Sequence, residues 1–193
     1  MTHVSPIPRE ELPALEETFQ FIEAVTGFVP SSLRTMAHLP GLVEGFQALA
    51  VAVLGSPVID AELKNLVSHV ASRAAGCRYC QAHTGATAAN QGTDPAKVAA
   101  VWEFETSELF SDAERVALRL AFHSGANAAT DDDFAECRRH FTQEQIVAIV
   151  AVCSLFGYLN RWNDTMATEL EEEPAAFAAE TLSPLGWVVD KHA

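Results

Sequence analysis

Two cysteines and a histidine, spaced three residues apart, are the residues of this chain best suited to chemistry. Cys77, Cys80 and His83 stand in the stretch AAGCRYCQAH. Side chains three apart on a helix lie about 5–6 Å from each other, so the two thiols can approach closely enough to form a disulfide. A histidine one turn further on can accept a thiol proton and stabilise the anion. The pattern therefore predicts redox chemistry by a thiol pair.

Zinc binding is the rival interpretation, because two cysteines and a histidine are also zinc ligands. A structural zinc site draws its second pair of ligands from a separate loop. The other close pair, Cys137 and His140, lies far along the chain in a segment with helical periodicity, and we interpret it as helix surface. Cys153 stands in an apolar run and is interpreted as a small core residue. The sequence therefore indicates no metal site and no cofactor.

The composition favours one globular domain over residues 1–193. The chain is 49% hydrophobic and carries a net charge of −14, with only 12 lysines and arginines. Without clustered positive charge, nucleic acids and anionic membrane surfaces are disfavoured as partners. The first residues lack the pattern of a signal peptide. The sequence contains no uninterrupted run of eighteen apolar residues, so no membrane-spanning helix is predicted. We therefore expect a cytoplasmic protein.

Apolar residues recur at helical spacing almost throughout, which predicts an all-α fold, a helical bundle. Nine helices are expected. Five have both ends predicted: about 10–26, 40–54, 60–75, from the cysteines to about 92, and 142–170. The other four have a predicted start only: a cap at Ser31 or Ser32, Pro95, the capping box of Ser111 and Glu114, and Asp131. The last residues, about 181–193, are expected to form an extended tail without a role.

Gly76 is expected to end the helix before the cysteines, which places both thiols in the first turn of the next helix. Unpaired N–H groups and the helix dipole favour a thiolate there. The preceding helix carries a polar stripe that includes Glu62, Asn65 and His69. This stripe is either a solvated face or a proton relay that ends beside the cysteines.

An offset of 83 residues aligns two similar segments, CRYC and NRWN (residues 160–163), each after an apolar helix. Arg78 falls on Arg161, and Tyr79 falls on Trp162. The match is compatible with chance or with an internally duplicated helix–corner–helix unit, of which only the first copy kept its thiols.

The order of a long helix, GCRYCQAH and an alanine-rich helix resembles the alkyl hydroperoxidase D-like branch of the carboxymuconolactone decarboxylase family. The stretch FGYLNRWNDTMATELE resembles peroxidase-related members of that branch, and the resemblance covers about residues 40–171. It implies an all-helical bundle that assembles as a homo-oligomer, a dimer, trimer or hexamer. It also implies that Cys80 attacks a hydroperoxide, that Cys77 resolves the product as a disulfide, and that His83 relays protons.

Two positions depart from the family pattern. The family places its histidine four residues after the second cysteine, where this chain has Thr84, and a glutamate twelve residues before the first cysteine, where this chain has Asn65. Because Asn65 cannot act as a base, Glu62 or His69 is the expected substitute in the proton relay.

The sequence thus predicts a thiol-dependent hydroperoxide reductase, an antioxidant peroxidase recycled by a dithiol or a reductase protein. Two alternatives stay open. One is a lactone decarboxylase of the same superfamily, which would not need thiols, and the other is a non-catalytic module that holds a metal.

Overall fold

The computed structural model describes residues 2–193, which form ten α-helices without a strand. The helices are α1 (Glu16–Thr26), α2 (Ser31–Met36), α3 (Leu42–Leu54), α4 (Ala61–Ala74), α5 (Arg78–Asn90), α6 (Pro95–Ala100), α7 (Asp112–Gly125), α8 (Asp131–His140), α9 (Gln143–Met166) and α10 (Glu172–Phe177). The predicted all-α fold is confirmed, and α1 to α9 correspond to the nine expected helices.

Side-chain caps fix the starts of the helices that carry the core. Asp60 accepts a hydrogen bond of 2.8 Å from Leu63 N at the start of α4. The predicted capping box of Ser111 and Glu114 opens α7, and a further box opens α9 at Thr142. Each cap satisfies backbone N–H groups that have no partner within the helix, so the helix starts follow from local sequence.

Three predicted helix ends are wrong, each for a local reason. The first helix begins at Glu16 rather than near residue 10. Pro13 lacks an N–H, and the residues before Glu16 form two 3₁₀ turns, Arg9–Glu11 and Pro13–Leu15, instead of an α-helix. Pro30, and not a serine, occupies the N-cap of α2. The ninth helix ends at Met166 rather than near 170, because Ala167 adopts a left-handed conformation with φ of 48°.

Two larger predictions are also wrong. NRWN forms no corner, because α9 continues through it to Met166. The last residues are not an extended tail: they form a π-helical turn (Ala178–Leu182) and 3₁₀ turns (Ser183–Leu185 and Asp190–His192). Trp187 and His192 are buried there, and the Trp187 indole donates to the carbonyl of Arg78 at 3.1 Å. This C-terminal segment therefore packs against the start of α5.

The main core lies between α4, α7 and α9, with α5 packed against α4 and α9. Leu66, Val70, Leu118 and Ile149 are among its buried side chains. The long helix α9 has the length and composition of a membrane-crossing helix, but it packs against α3, α4, α5 and α7. Ile149, Val152 and Cys153 of α9 belong to the main core.

A smaller apolar cluster joins α1, α2 and α3 to α9. Phe19, Met36 and Val43 are its most deeply buried members, and Leu159 of α9 packs against them. A cavity lies between α1 and α3 on one side and α4 and α5 on the other.

Candidate active site

The thiol pair stands where α4 ends and α5 begins. Gly76, with φ of 77°, reverses the chain after α4, and Cys77 then occupies the N-cap of α5. The Cys77 sulfur accepts a hydrogen bond of 3.3 Å from Cys80 N. Both cysteines are buried and reduced. A cysteine sulfur thus does the capping that a serine oxygen usually does, which fixes Cys77 one turn from Cys80.

Burial controls the ionisation of Cys80. Removal from water, followed by its hydrogen bond to Cys77, raises the pKa of the Cys80 thiol well above its ordinary range. The sequence-based expectation that the helix start yields a ready thiolate is therefore wrong for this residue. Asn163 of α9 acts in the opposite direction, because its Nδ2 donates to Cys80 Sγ at 3.4 Å and stabilises the anion. The resting thiol consequently needs a base to become a nucleophile.

A carboxylate that the sequence-based interpretation did not select holds the neighbouring histidine. Glu171, just after α9, accepts a hydrogen bond of 2.5 Å from His83 Nε2 through Oε2. Its Oε1 accepts from the Tyr79 hydroxyl at 2.9 Å and from the backbone N–H of Ser31. Burial opposes ionisation, but the charge interaction and hydrogen bond with His83 and the bond from Ser31 lower the pKa of Glu171 to about 2. Glu171 is therefore a carboxylate in any ordinary buffer.

This carboxylate sets the tautomer of His83. An ionised carboxylate only accepts hydrogen bonds, so His83 Nε2 carries a proton and donates it to Glu171. Nδ1 of a neutral ring is then the acceptor. The ring also stacks on Tyr79, with centroids 4.0 Å apart, and meets the edge of Phe28. A buried carboxylate and two aromatic rings thus fix the orientation of His83.

An apolar cavity of about 390 Å³ opens onto Cys80 and His83, which lie one turn apart on α5. Its walls come from α1, α2, α3, α4, α5, α9 and the residues between α1 and α2. They include the apolar side chains Phe28, Leu33, Phe46, Leu155, Phe156 and Leu159. Cys77 is fully buried behind Cys80 and is not part of the wall. A molecule in this cavity would thus meet Cys80 first.

The predicted relay residues of α4 lie elsewhere. Glu62 forms an ion pair of 2.5 Å with Lys97, which also binds Glu114. Asn65 lines the cavity, but its Nδ2 donates to Gln91 at 3.1 Å. Neither is brought to His83, whose partner is Glu171, and the choice of Glu62 as the substitute for the family glutamate is therefore wrong.

His69 is buried beside the helix that carries the thiols. Its Nδ1 lies 2.7 Å from the hydroxyl of Thr84, which in turn donates to the carbonyl of Cys80 at 2.7 Å. Burial, followed by the charge of Arg73, lowers the pKa of His69 to about 4. A neutral His69 thus connects α4 to α5 through its hydrogen bond with Thr84. Thr84 stands at the position where the family pattern has its histidine.

The remaining cysteines do not join the site. Cys137 and Cys153 are buried in the main core, so the interpretation of Cys137 as helix surface is wrong, whereas His140 is exposed. Across residues 2–193 no three His, Cys, Asp or Glu side chains are grouped as metal ligands. Burial raises the pKa of the Cys153 thiol to about 12. Cys153 is therefore an inert core residue, as predicted from its apolar surroundings.

Asn163 and Glu171 are the site residues that sequence reasoning missed. The offset of 83 residues contained a signal for Asn163, because it aligns Asn163 with Cys80 and the two side chains are in contact. Glu171 is the last residue of the stretch FGYLNRWNDTMATELE, which resembles peroxidase-related members of the family. No spacing in the sequence connects Glu171 to His83.

Comparisons with known proteins identify relatives of similar sequence and fold. The model of the carboxymuconolactone decarboxylase family matches residues 40–122. The crystal structure of the debrominase Bmp8 superposes with a TM-score of 0.88 at 34% identity, covering 94% of this chain and 98% of Bmp8. A Bmp8 variant with a cysteine replaced by alanine, in complex with 2,3,4-tribromopyrrole, superposes equally well.

Two further relatives are more distant. A peroxidase-related protein with an alkylhydroperoxidase AhpD core, from Ralstonia eutropha JMP134, superposes with a TM-score of 0.76 at 23% identity, covering 92% of this chain and 97% of that protein. The Escherichia coli (strain K12) protein YnjA is 29% identical over 110 residues, which span 56% of this chain and 60% of YnjA. The matched region is thus less than two thirds of YnjA.

Proposed function

Because the chain belongs to the carboxymuconolactone decarboxylase family, we propose that it is a thiol-dependent reductase of organic hydroperoxides. Cys80 and Cys77 cycle between dithiol and disulfide. The observation that carries this proposal is the position of the two thiols: Cys80 lies in the wall of an apolar cavity, and Cys77 is hydrogen-bonded directly behind it.

The reaction begins with proton transfer from Cys80 to His83, whose positive charge Glu171 then stabilises. The Cys80 thiolate attacks the terminal oxygen of the hydroperoxide, and the O–O bond breaks. The leaving alkoxide takes the proton from His83 and departs as an alcohol, while Cys80 becomes a sulfenic acid. The Cys77 thiol then attacks the Cys80 sulfur, which forms the disulfide and releases water.

The two electrons that reduce the peroxide come from the two thiols. A dithiol or a dithiol-bearing reductase protein supplies them again by thiol–disulfide exchange. The predicted homo-oligomer remains part of the proposal: Phe21, Val25, Val51 and Leu54 are exposed at the mouth of the cavity, where a second copy would cover them.

The apolar cavity favours a hydroperoxide with a bulky apolar group over hydrogen peroxide. We expect kcat/KM for cumene hydroperoxide, with dithiothreitol as reductant, to exceed that for hydrogen peroxide by about tenfold or more, because only the larger substrate buries apolar surface. Peroxide consumption above the rate with dithiothreitol alone is the measurement. Equal rates with and without the protein would contradict the proposed function.

Reductive dehalogenation is the second candidate, favoured by the 34% identity with the debrominase Bmp8 over nearly the whole chain. The same residues would carry out this reaction. The Cys80 thiolate attacks the bromine of a bromopyrrole and becomes a sulfenyl bromide, and the pyrrole carbanion that is left accepts a proton from His83. The Cys77 thiol then attacks the Cys80 sulfur, which forms the disulfide and releases bromide. Bromide release from 2,3,4-tribromopyrrole measures this activity.

A further inference from the structure

A second cavity, of about 240 Å³, lies on the opposite face of α5 from the thiol cavity. Arg78 and Gln81 of α5, Arg73 of α4, and the indoles of Trp102 and Trp187 line it. Cys80 and His83 project from the other side of α5 into the thiol cavity. We call this second cavity the arginine pocket; it is polar where the thiol cavity is apolar.

The arginine pocket is lined by two arginines and by no carboxylate of residues 2–193. Six of the 12 basic side chains form ion pairs within the described residues, and the other six do not. Arg73 and Arg78 have no carboxylate partner within residues 2–193. Burial, and then the charge of Arg78, lower the pKa of Arg73, so the two guanidinium groups repel each other. A bound anion would relieve this repulsion.

Two side chains of the pocket, Arg73 and Trp187, are held by contacts with neighbouring residues. The Arg73 guanidinium lies 3.7 Å from the centroid of the Trp102 ring, and stacking leaves its in-plane N–H groups available. Gln81 is only 3% exposed and lines the same pocket. Trp187 is fixed by the bond from its indole to the carbonyl of Arg78. Arg73, Arg78 and Gln81 therefore line one pocket together with two indole rings.

We propose that the arginine pocket binds a small organic dianion through Arg73, Arg78 and Gln81. Guanidinium groups bind carboxylate and phosphate oxygens in pairs of parallel hydrogen bonds, and two such groups match two oxyanionic charges. The indole walls contact the carbon skeleton of the ligand. Binding here does not depend on the thiols, so it stands apart from the proposed reductase activity.

Calorimetric titration with succinate and with glycerol 3-phosphate, at constant ionic strength, tests the proposal and tells carboxylate from phosphate recognition. We expect saturable binding of at least one of them, with a parallel change in tryptophan fluorescence. Arg73→Gln and Arg78→Gln should each weaken binding by about tenfold or more, since each removes charged hydrogen bonds. Arg138→Gln, at an exposed arginine of α8, is the matched control and should bind like the wild type.

Gln81→Glu provides an independent variant, because the new carboxylate would pair with the two arginines inside the pocket. It should abolish binding, whereas Cys80→Ser should leave binding unchanged. Failure of both probes to bind, equal weakening by Arg138→Gln, or full binding by Gln81→Glu would each overturn the proposal.

Discussion

We expect the Cys80→Ser variant to lose the reduction of cumene hydroperoxide, with kcat/KM lowered by more than about a thousandfold. A serine hydroxyl at this position ionises far less readily than a thiol, and no other thiol lies in the cavity wall to replace it. Peroxide consumption with dithiothreitol as the reductant measures the effect. The Cys77→Ser variant should instead consume a single equivalent of hydroperoxide rapidly and then slow, because its sulfenic acid has no neighbouring thiol to capture it.

Cys153→Ser is the matched control, since Cys153 is also buried but belongs to the main core. It should retain wild-type turnover. A lactone decarboxylase would not depend on the cysteines. Full activity in Cys80→Ser, on whichever substrate the protein is found to turn over, would therefore exclude the thiol mechanism and favour that alternative.

The Glu171→Gln variant should lose roughly a hundredfold in kcat/KM for the same hydroperoxide. Glutamine can still accept the bonds from Tyr79 and Ser31, but it cannot stabilise a positive charge on His83. Proton transfer from Cys80, whose pKa burial raises, then becomes unfavourable. Glu169→Gln, two residues earlier and exposed, should behave as the wild type. Unchanged turnover in Glu171→Gln would contradict the role of Glu171 in orienting and charging His83.

Glu171 should also shape the acid stability of the protein. Its pKa in the folded state, about 2, is lower than the ordinary value of 4.5, so the unfolded chain takes up the proton first as the pH falls. Glu171 therefore contributes stability that is fully present above pH 4.5 and is lost as the pH falls from 4.5 towards 2. The free energy of unfolding in urea, measured across this range, should fall less steeply in Glu171→Gln than in the wild type.

Local sequence was enough to predict the helices and the position of the thiols. Capping residues such as Asp60 and Ser111, together with the break at Gly76, act within a few residues of the helix ends that they fix. The same rule explains the errors at Pro13 and Ala167, where one backbone conformation moved a helix end.

The partners of the thiols could not be predicted in this way, because they come from distant parts of the chain. Glu171 reaches His83 across 88 residues, and Asn163 reaches Cys80 across 83. The polar stripe of α4 offered a nearer carboxylate, Glu62, but Lys97 holds it. The C-terminal segment was assigned no role, although burial of Trp187 and His192 packs it against the start of α5.

The state of the four cysteines after oxidation tests the thiol couple most directly. The reduced protein is treated with one equivalent of cumene hydroperoxide without a reductant, denatured, alkylated and analysed as peptides. We expect a disulfide between Cys77 and Cys80, with Cys137 and Cys153 alkylated. If all four cysteines are alkylated, or if oxidation falls on Cys137 or Cys153, the two thiols at the start of α5 are not the redox centre.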